Sequence, residues 1–255
     1  MEFKMQKNEI MNIGVIFAGG VGSRMHSKET PKQFLKVHDK PIIIHTLEHF
    51  EKNPQIDAVV IACISDWIPH LEKLLYQYRI EKVKKIVGGG ESGQLSIYNG
   101  LCAAEEVSAG QKAIVLIHDG VRPLISSKLL SENIRCVMEK GSAITAGIVK
   151  ETIVVVDANG QVEQVPSREK SRVAKAPQSF WLSDILGVHR QAMKSGITNS
   201  IDSCSLMQQY GYPLFMLDGP YENIKITTPD DFYTMRAILD AKENAQIYGY
   251  GEETN

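Results

Sequence analysis

The residues best suited to chemistry lie between Ala18 and Phe34, in AGGVGSRMHSKETPKQF. Gly19, Gly20 and Gly22 follow an apolar run, and glycines after a strand let backbone N–H groups approach phosphate oxygens. Arg24 and Lys32 then supply two cations on a segment that could fold over a triphosphate. On spacing alone the same stretch also reads as a plain turn followed by two solvated charges. Neither common phosphate motif is present. Gly20-Val21-Gly22-Ser23-Arg24-Met25 lacks the third glycine of the dinucleotide fingerprint, and nothing matches GxxxxGK followed by Ser or Thr.

Three further groups have chemical potential. His118 and Asp119 end an apolar run in HDGVRP, where a carboxylate could help hold a divalent cation or simply cap the next turn. Arg122 follows three positions later, and His118 reads as structural. Lys225 stands between two isoleucines in NIKIT, a place where a lysine commonly points to solvent. GGGESG (88–93) follows another apolar run and reads as a second glycine loop.

Bulk properties narrow the function class. The 255 residues carry 28 basic and 30 acidic side chains, a formal charge of −2. That balance argues against a nucleic-acid or membrane-surface protein. Cys63, Cys102, Cys136 and Cys204 are widely separated, with no CxxC pair, and read as free thiols in a reducing compartment. The polar start MEFKMQKNEI has no signal-like apolar core, and no apolar run approaches the roughly 20 residues of a membrane span. The expectation is a cytoplasmic protein that contacts neither nucleic acid nor membrane.

The elements that must position these residues alternate. NIGVIFAG, AVVIACI, KKIVGG, AIVLIHD, AITAGIV and LFMLDG read as short buried strands. IIIHTLEHFEKN, WIPHLEKLLYQY, GQLSIYNGLCAAEEV, SSKLLSENIRCVMEK and LSDILGVHRQAM read as the helices between them. This alternation predicts an α/β fold with a mainly parallel sheet, whose ligands sit beyond the carboxyl ends of the strands. Both glycine loops and HDGVRP follow strands, as that rule requires. One segment breaks the rhythm: residues 151–175 read as a projecting β-arm with a DANG turn, and a lone hairpin of this kind needs a partner surface. The organisation expected is a disordered extension over 1–10, a single domain over 11–245 with its dimerisation arm at about 151–175, and a tail over 246–255.

Taken in order, AGGVGSRM with PKQF, KPIIIHTLEHF, HDGVRP, PSREKSRVAKAPQSF and ENIKITTPDDF resemble the cytidylyltransferases of the methylerythritol-phosphate and ribitol-phosphate type. The resemblance runs from about Asn12 to about Ala241. It implies a Rossmann-like nucleotidyltransferase fold, a homodimer completed by the arm, and Mg²⁺ or another divalent cation as cofactor. It also implies that a polyol-phosphate oxygen attacks the α-phosphorus of CTP and releases pyrophosphate. Under it, Gly19, Gly20 and Gly22 line the phosphates, Arg24 and Lys32 neutralise the leaving pyrophosphate, and Lys225 stabilises the transition state at the α-phosphate.

The same resemblance gives Asp119 a metal and acceptor role and Arg122 an acceptor role. Thr152 matches an acceptor-site threonine, and Arg168 an arginine donated across the dimer. Ser96 matches a base or ribose contact, with Ala18, Gly88 and Gly89 offering backbone groups to cytosine. Two positions depart from the methylerythritol branch: Gly93 stands where an arginine is usual, and Ala176 where a threonine precedes PQ. Together with AGG, SDWIPHLEKL and NIKITTPDD, which look more like the ribitol-phosphate branch, these favour D-ribitol 5-phosphate as acceptor, the alternative being 2-C-methyl-D-erythritol 4-phosphate. An NAD(P)-dependent oxidoreductase is disfavoured by the missing third glycine. It is also disfavoured by the lack of an acidic residue about 20 residues on, at the end of a second strand.

Overall fold

The computed structural model of the chain describes residues 10–20 and 30–248. In chain order come β1 (Ile10–Ala18), the small hairpin β2 (Lys36–Val37) and β3 (Lys40–Pro41), α1 (Ile42–Lys52), β4 (Ala58–Cys63) and α2 (Ile68–Gln77). β5 (Val83–Gly88), α3 (Gly93–Ser108), β6 (Lys112–Asp119), α4 (Ser127–Lys140) and β7 (Ser142–Ile148) follow. The chain ends with β8 (Val155–Val156), β9 (Val162–Gln164), β10 (Arg172–Trp181), α5 (Leu182–Lys194), α6 (Ser203–Gln209), β11 (Met216–Asp218) and α7 (Pro229–Tyr248).

Seven strands form one sheet in the order β11-β7-β10-β6-β1-β4-β5. β1 pairs in parallel with both β4 and β6, β4 with β5, and β7 with β11. Only β10 runs antiparallel to its neighbours, β6 and β7. The chain moves from β1 to β4 on one side and later returns to place β6 on the other. The carboxyl end of β1 is therefore a switch point, where an α/β sheet opens a ligand crevice.

The sheet is covered on both faces, which is why its central strands are apolar throughout rather than alternating. All six residues of β4 are buried, as is every residue of β6 after Lys112. One core layer gathers Ile43, Leu47 and Phe50 of α1, Leu71 of α2 and Leu130 and Ile134 of α4. The opposite layer gathers Leu101 of α3, Ile185 and Leu186 of α5 and Leu206 of α6. At Gly100 of α3 a Cβ would lie 2.8 Å from Val15 Cγ1, so this helix presses on β1 only because the residue is glycine.

β10 departs from the sequence expectation. The sequence pattern places the polar stretch up to Lys175 in the arm, but from Arg172 the chain already lies between β6 and β7. Its register slips between Ala174 and Gln178, where Pro177 has no N–H to give to a ladder. The sequence pattern also omitted α6 and the β2–β3 hairpin, and β1 begins at Ile10 rather than Asn12.

Within the expected arm, strand pairing is short. β8 and β9 form an antiparallel pair around a turn in which Asp157 Oδ1 accepts from the N–H groups of Asn159 and Gln161, both at 2.8 Å. Val154, Val155, Val156, Val162 and Val165 on this arm are 40–57% exposed. Among the described residues no helix is long and apolar enough to cross a membrane. The expected N-terminal extension (apart from Ile10) and residues 249–255 of the expected tail lie outside the described residues, while α7 continues through Tyr248.

Candidate active site

Asp119 ends β6 only 3% exposed. Beyond it the backbone turns sharply: Gly120 N–H donates to Phe17 O at 3.0 Å and Arg122 N–H to Asp119 O at 3.1 Å. That turn folds the Arg122 side chain back on the carboxylate, with Nε 3.1 Å from Oδ2. Arg122 Nη1 also donates to Asn223 O at 2.9 Å. From the following loop, Lys225 brings Nζ to 2.6 Å from Asp119 Oδ1 and 5.7 Å from the centre of the Phe17 ring. Ile226 N–H donates to Val121 O, and the fully buried Asn223 donates Nδ2–H to Ala176 O at 2.7 Å. Segments far apart in sequence are thereby held as one unit around a single carboxylate.

The electrostatics follow from that packing. Burial alone would push the Asp119 carboxyl up; the Arg122 guanidinium and the Lys225 ammonium reverse the effect and hold it at about 2. Lys175 sits beside the same site, donating to Pro220 O at 3.2 Å and Tyr221 O at 3.1 Å. Burial, followed by repulsion from Arg122 and Lys150, lowers its pKa. Arg122, Lys175 and Lys225 outnumber the two carboxylates of the site, Asp119 and Asp202, so the site favours anions.

The cluster opens into a cavity of about 340 Å³, lined also by Phe17, Ile97, Lys175, Gln178, Asp202 and Ser203. This size suits a small substrate with a few polar anchors. Gln178 donates Nε2–H to Asp202 Oδ2 at 2.8 Å, and its Oε1 accepts from Cys204 N–H at 2.8 Å. Lys175, Gln178, Asp202 and Ser203 were absent from the sequence candidates. The pattern Asp202-Ser203 before an apolar run is a helix N-cap signal that points to the last two of these, and no local signal points to Lys175 or Gln178. The cap is present, with Asp202 Oδ1 accepting from Ser205 N–H at 2.8 Å.

The glycine loops meet beside this site. A Cβ on Gly19 would lie 3.0 Å from Ser96 Oγ, and one on Gly89 would lie 3.5 Å from Gly19 Cα, so these backbones pack closely. Ser96 accepts from Gly90 N–H and donates to Ser92 O, both at 3.0 Å, and so shapes the loop itself. The Ala18 carbonyl accepts from Gln33 Nε2 at 2.7 Å and the Gly88 carbonyl from Asn99 Nδ2 at 3.0 Å. Gly89 N–H donates to Cys63 O at 2.6 Å. Each carbonyl keeps a second lone pair for a ligand. Gly20 is exposed, with no atom within 4 Å of where a Cβ would stand.

Lys32 lies in a short 3-10 turn, Lys32–Phe34, anchored by Gln33 and by Phe34 stacked on Trp67 at 4.8 Å. It is 9% exposed; against the effect of burial, Asp231 at the start of α7 is held below the usual carboxylate range by hydrogen bonds from Thr228 and Thr227, with a smaller contribution from the Lys32 charge. Gly22 and Arg24 lie outside the described residues. Thr152 and Arg168 sit exposed on the arm and do not line the cavity of their own chain; Arg168 Nη1 lies 3.4 Å from Lys150 O.

Two buried histidines have a consequence for stability. Burial lowers His118 to about 4 in spite of the neighbouring Asp119, and burial alone lowers His189 to about 4. His118 Nε2 donates to Arg122 O at 3.0 Å, in keeping with a structural role. The unfolded chain takes up protons on these rings below about pH 6.5, and the folded one resists until about pH 4. Stability is therefore full above about pH 6.5 and falls as pH drops through that window, by up to about 1.4 kcal/mol per pH unit for each ring. Urea midpoints measured from pH 7.5 to pH 4 are expected to decline in this way. A flat midpoint down to pH 4 would contradict neutral burial of both rings.

Comparison with known proteins supplies the relationship. The family described as IspD, 2-C-methyl-D-erythritol 4-phosphate cytidylyltransferase, matches residues 12–241. The chain belongs to the IspD family. Within it, the chain is 56% identical over 239 residues to a ribitol-5-phosphate cytidylyltransferase of Streptococcus agalactiae, covering 94% of this chain and 100% of that one. It is 36% identical to a 2-C-methyl-D-erythritol 4-phosphate cytidylyltransferase of Clostridium acetobutylicum, covering 90% and 97%. A solved IspD-type structure, the 4-diphosphocytidyl-2C-methyl-D-erythritol synthase of Anaerococcus prevotii, superposes with a TM-score of 0.79 at 25% identity, covering 91% and 97%. The α/β nucleotidyltransferase fold and the family read from the sequence motifs are thus met, and the ribitol-phosphate branch is the nearer of the two compared.

Proposed function

We propose that this chain transfers CMP from CTP to D-ribitol 5-phosphate, giving CDP-ribitol and pyrophosphate, as a cytoplasmic homodimer that uses Mg²⁺. The observation that carries the reading is the buried Asp119 carboxylate outnumbered by Arg122, Lys175 and Lys225 around one cavity. Such a site suits two phosphorylated substrates that must approach each other against their own repulsion. The acceptor is chosen by the 56% identity to a ribitol-5-phosphate enzyme, against 36% to a methylerythritol one.

In this reading an oxygen of the acceptor's phosphate bonds to the α-phosphorus of CTP, and the bond from that phosphorus to the pyrophosphate oxygen breaks. The attacking oxygen is already anionic, so no side chain needs to remove a proton. Lys225 meets the charge that grows on the α-phosphate, and Arg122 with Lys175 orients the acceptor's phosphate. Asp119 keeps Lys225 and Arg122 in place. Lys32 and Arg24 lie on the segment expected to hold the leaving pyrophosphate, with Gly19, Gly20 and Gly22 along the triphosphate and Ser96 shaping the base-side loop.

Among the described residues no group of three or more His, Cys, Asp or Glu side chains is placed to hold a metal. One carboxylate, Asp119, together with substrate phosphate oxygens, is nevertheless the donor set Mg²⁺ commonly takes. Bound there, the ion would neutralise triphosphate charge. The exposed valines of the arm support a partner subunit, which would bring Thr152 and Arg168 to the neighbour's acceptor.

A pyrophosphate-release assay with Mg²⁺ and D-ribitol 5-phosphate tests the nucleotide half of the proposal. CTP is expected to exceed ATP and GTP in kcat/KM by about 10²-fold or more, because a pocket that pairs polar base edges rejects bases leaving them unpaired. Comparable turnover of a purine triphosphate would remove the cytidylyl assignment.

A further inference from the structure

Lys175 differs from the other cations of the cavity in its partners. Arg122 and Lys225 share Asp119, at 3.1 and 2.6 Å. Asp202 accepts from Gln178 and from Ser205 N–H. Asp218 and Glu222, which flank Pro220 and Tyr221 in sequence, pair with Arg172 at 3.8 Å and Lys242 at 2.8 Å. Lys175 instead donates to the carbonyls of Pro220 and Tyr221, and its charged neighbours, Arg122 and Lys150, repel it. An ammonium has three N–H donors, so one remains for a ligand. The side chain is half-buried and lines the cavity. A partly desolvated cation without a counter-charge, on the wall of a substrate-sized cavity, is a place for an anion.

The path of this lysine depends on a missing side chain. Gly147 of β7 stands opposite Val173 of β10, and Lys175 follows two residues on. A Cβ on Gly147 would lie 2.9 Å from Lys175 Cε and 3.3 Å from Nζ, so the end of the lysine occupies space that the glycine leaves. That end is flexible, and a methyl group on Gly147 would displace the ammonium from its carbonyls before it disturbed the strand. Lys175 also lies apart from the glycine loops. Those loops follow β1 and β5, whereas β7 and β10 stand beyond β6 in the sheet, with Asp119 at the end of β6 between them. An anion on Lys175 is therefore on the acceptor side and not along the triphosphate.

We infer that Lys175 is the residue that selects a phosphorylated acceptor, with Gly147 as the positioning residue that leaves room for it. The inference rests on the proposed use of a polyol phosphate. It adds the uncompensated charge that favours the phosphate and the β7 position that aims that charge.

The test combines calorimetric titration of inorganic phosphate at saturating CTP with steady-state kinetics on D-ribitol 5-phosphate. Lys175→Met keeps the stem and drops the charge. It is expected to weaken phosphate binding and to raise the acceptor KM, each by about 10- to 100-fold, with KM for CTP within about twofold. Gly147→Ala keeps the charge and moves it, and should raise the acceptor KM by about tenfold in a folded protein. Lys175→Ala makes room for that methyl group. Gly147→Ala should therefore add no penalty in the Lys175→Ala protein, the signature of an effect carried by the lysine.

No phosphate binding by the unaltered protein, or unchanged binding in Lys175→Met, overturns the inference. A rise in KM for CTP equal to that for the acceptor also overturns it, because the lysine would then serve the triphosphate or the loop it holds. A Gly147→Ala penalty that persists in the Lys175→Ala protein, or no penalty in either, overturns the positioning role of the glycine. Phosphate binding that depends on Lys175, in a protein that does not turn over D-ribitol 5-phosphate, contradicts the proposed function and upholds this inference.

Discussion

Asp119→Asn is expected to lower kcat/KM on the order of 10³-fold while leaving a folded protein. Asparagine keeps the shape but not the charge that holds Arg122 at 3.1 Å and Lys225 at 2.6 Å. Arg122 is itself 8% exposed, so it becomes a buried cation without its counter-charge, and Lys225 loses the anchor that aims it. Removing one member of a buried pair costs about 3–5 kcal/mol, so the melting temperature should also fall. Circular dichroism separates the two effects: a native far-ultraviolet spectrum with lost turnover is the predicted outcome. Near-normal kcat/KM in a folded Asp119→Asn would show that the carboxylate organises nothing the reaction uses.

The second large effect is a recovery. Arg168→Ala and Lys225→Ala are each expected to be nearly inactive, by about 10²-fold or more, because each removes a cation aimed at phosphate charge. Arg168 lies exposed on the arm, away from the cavity of its own chain, whereas Lys225 sits in it. In a symmetric dimer with shared sites, a mixed pair has one site with both residues intact and one with neither. Random exchange of equal amounts makes about half the dimers mixed, so about a quarter of wild-type activity should return. No return after subunit exchange is verified would place Arg168 and Lys225 of one chain in the same site, and the shared-site reading would fail.

Much of this was legible in the sequence, for local reasons. Asp119 and Arg122 lie three positions apart at the end of a strand, and their contact needs only one turn. The central strands announced themselves because burial on both faces demands continuous apolar runs. Lys225 was ambiguous from its own neighbours, two isoleucines, and became a candidate only through the motif around it.

What stayed hidden depends on distant partners. β10 is central, yet Arg172, Lys175 and Pro177 break its pattern, and only β6 and β7 on either side make it a strand. Lys175 finds its acceptors at Pro220 and Tyr221, and Gln178 finds Asp202, contacts no local pattern could reveal.

The most direct test of the central claim is a comparison of acceptors at saturating CTP and Mg²⁺. D-ribitol 5-phosphate and 2-C-methyl-D-erythritol 4-phosphate are offered separately, pyrophosphate release is followed, and the nucleotide product is identified by mass. The predicted result is CDP-ribitol formed with a kcat/KM about 10²-fold or more above that for the methylerythritol acceptor, since hydroxyl-reading pockets discriminate strongly. Equal or better use of the methylerythritol acceptor would contradict the account.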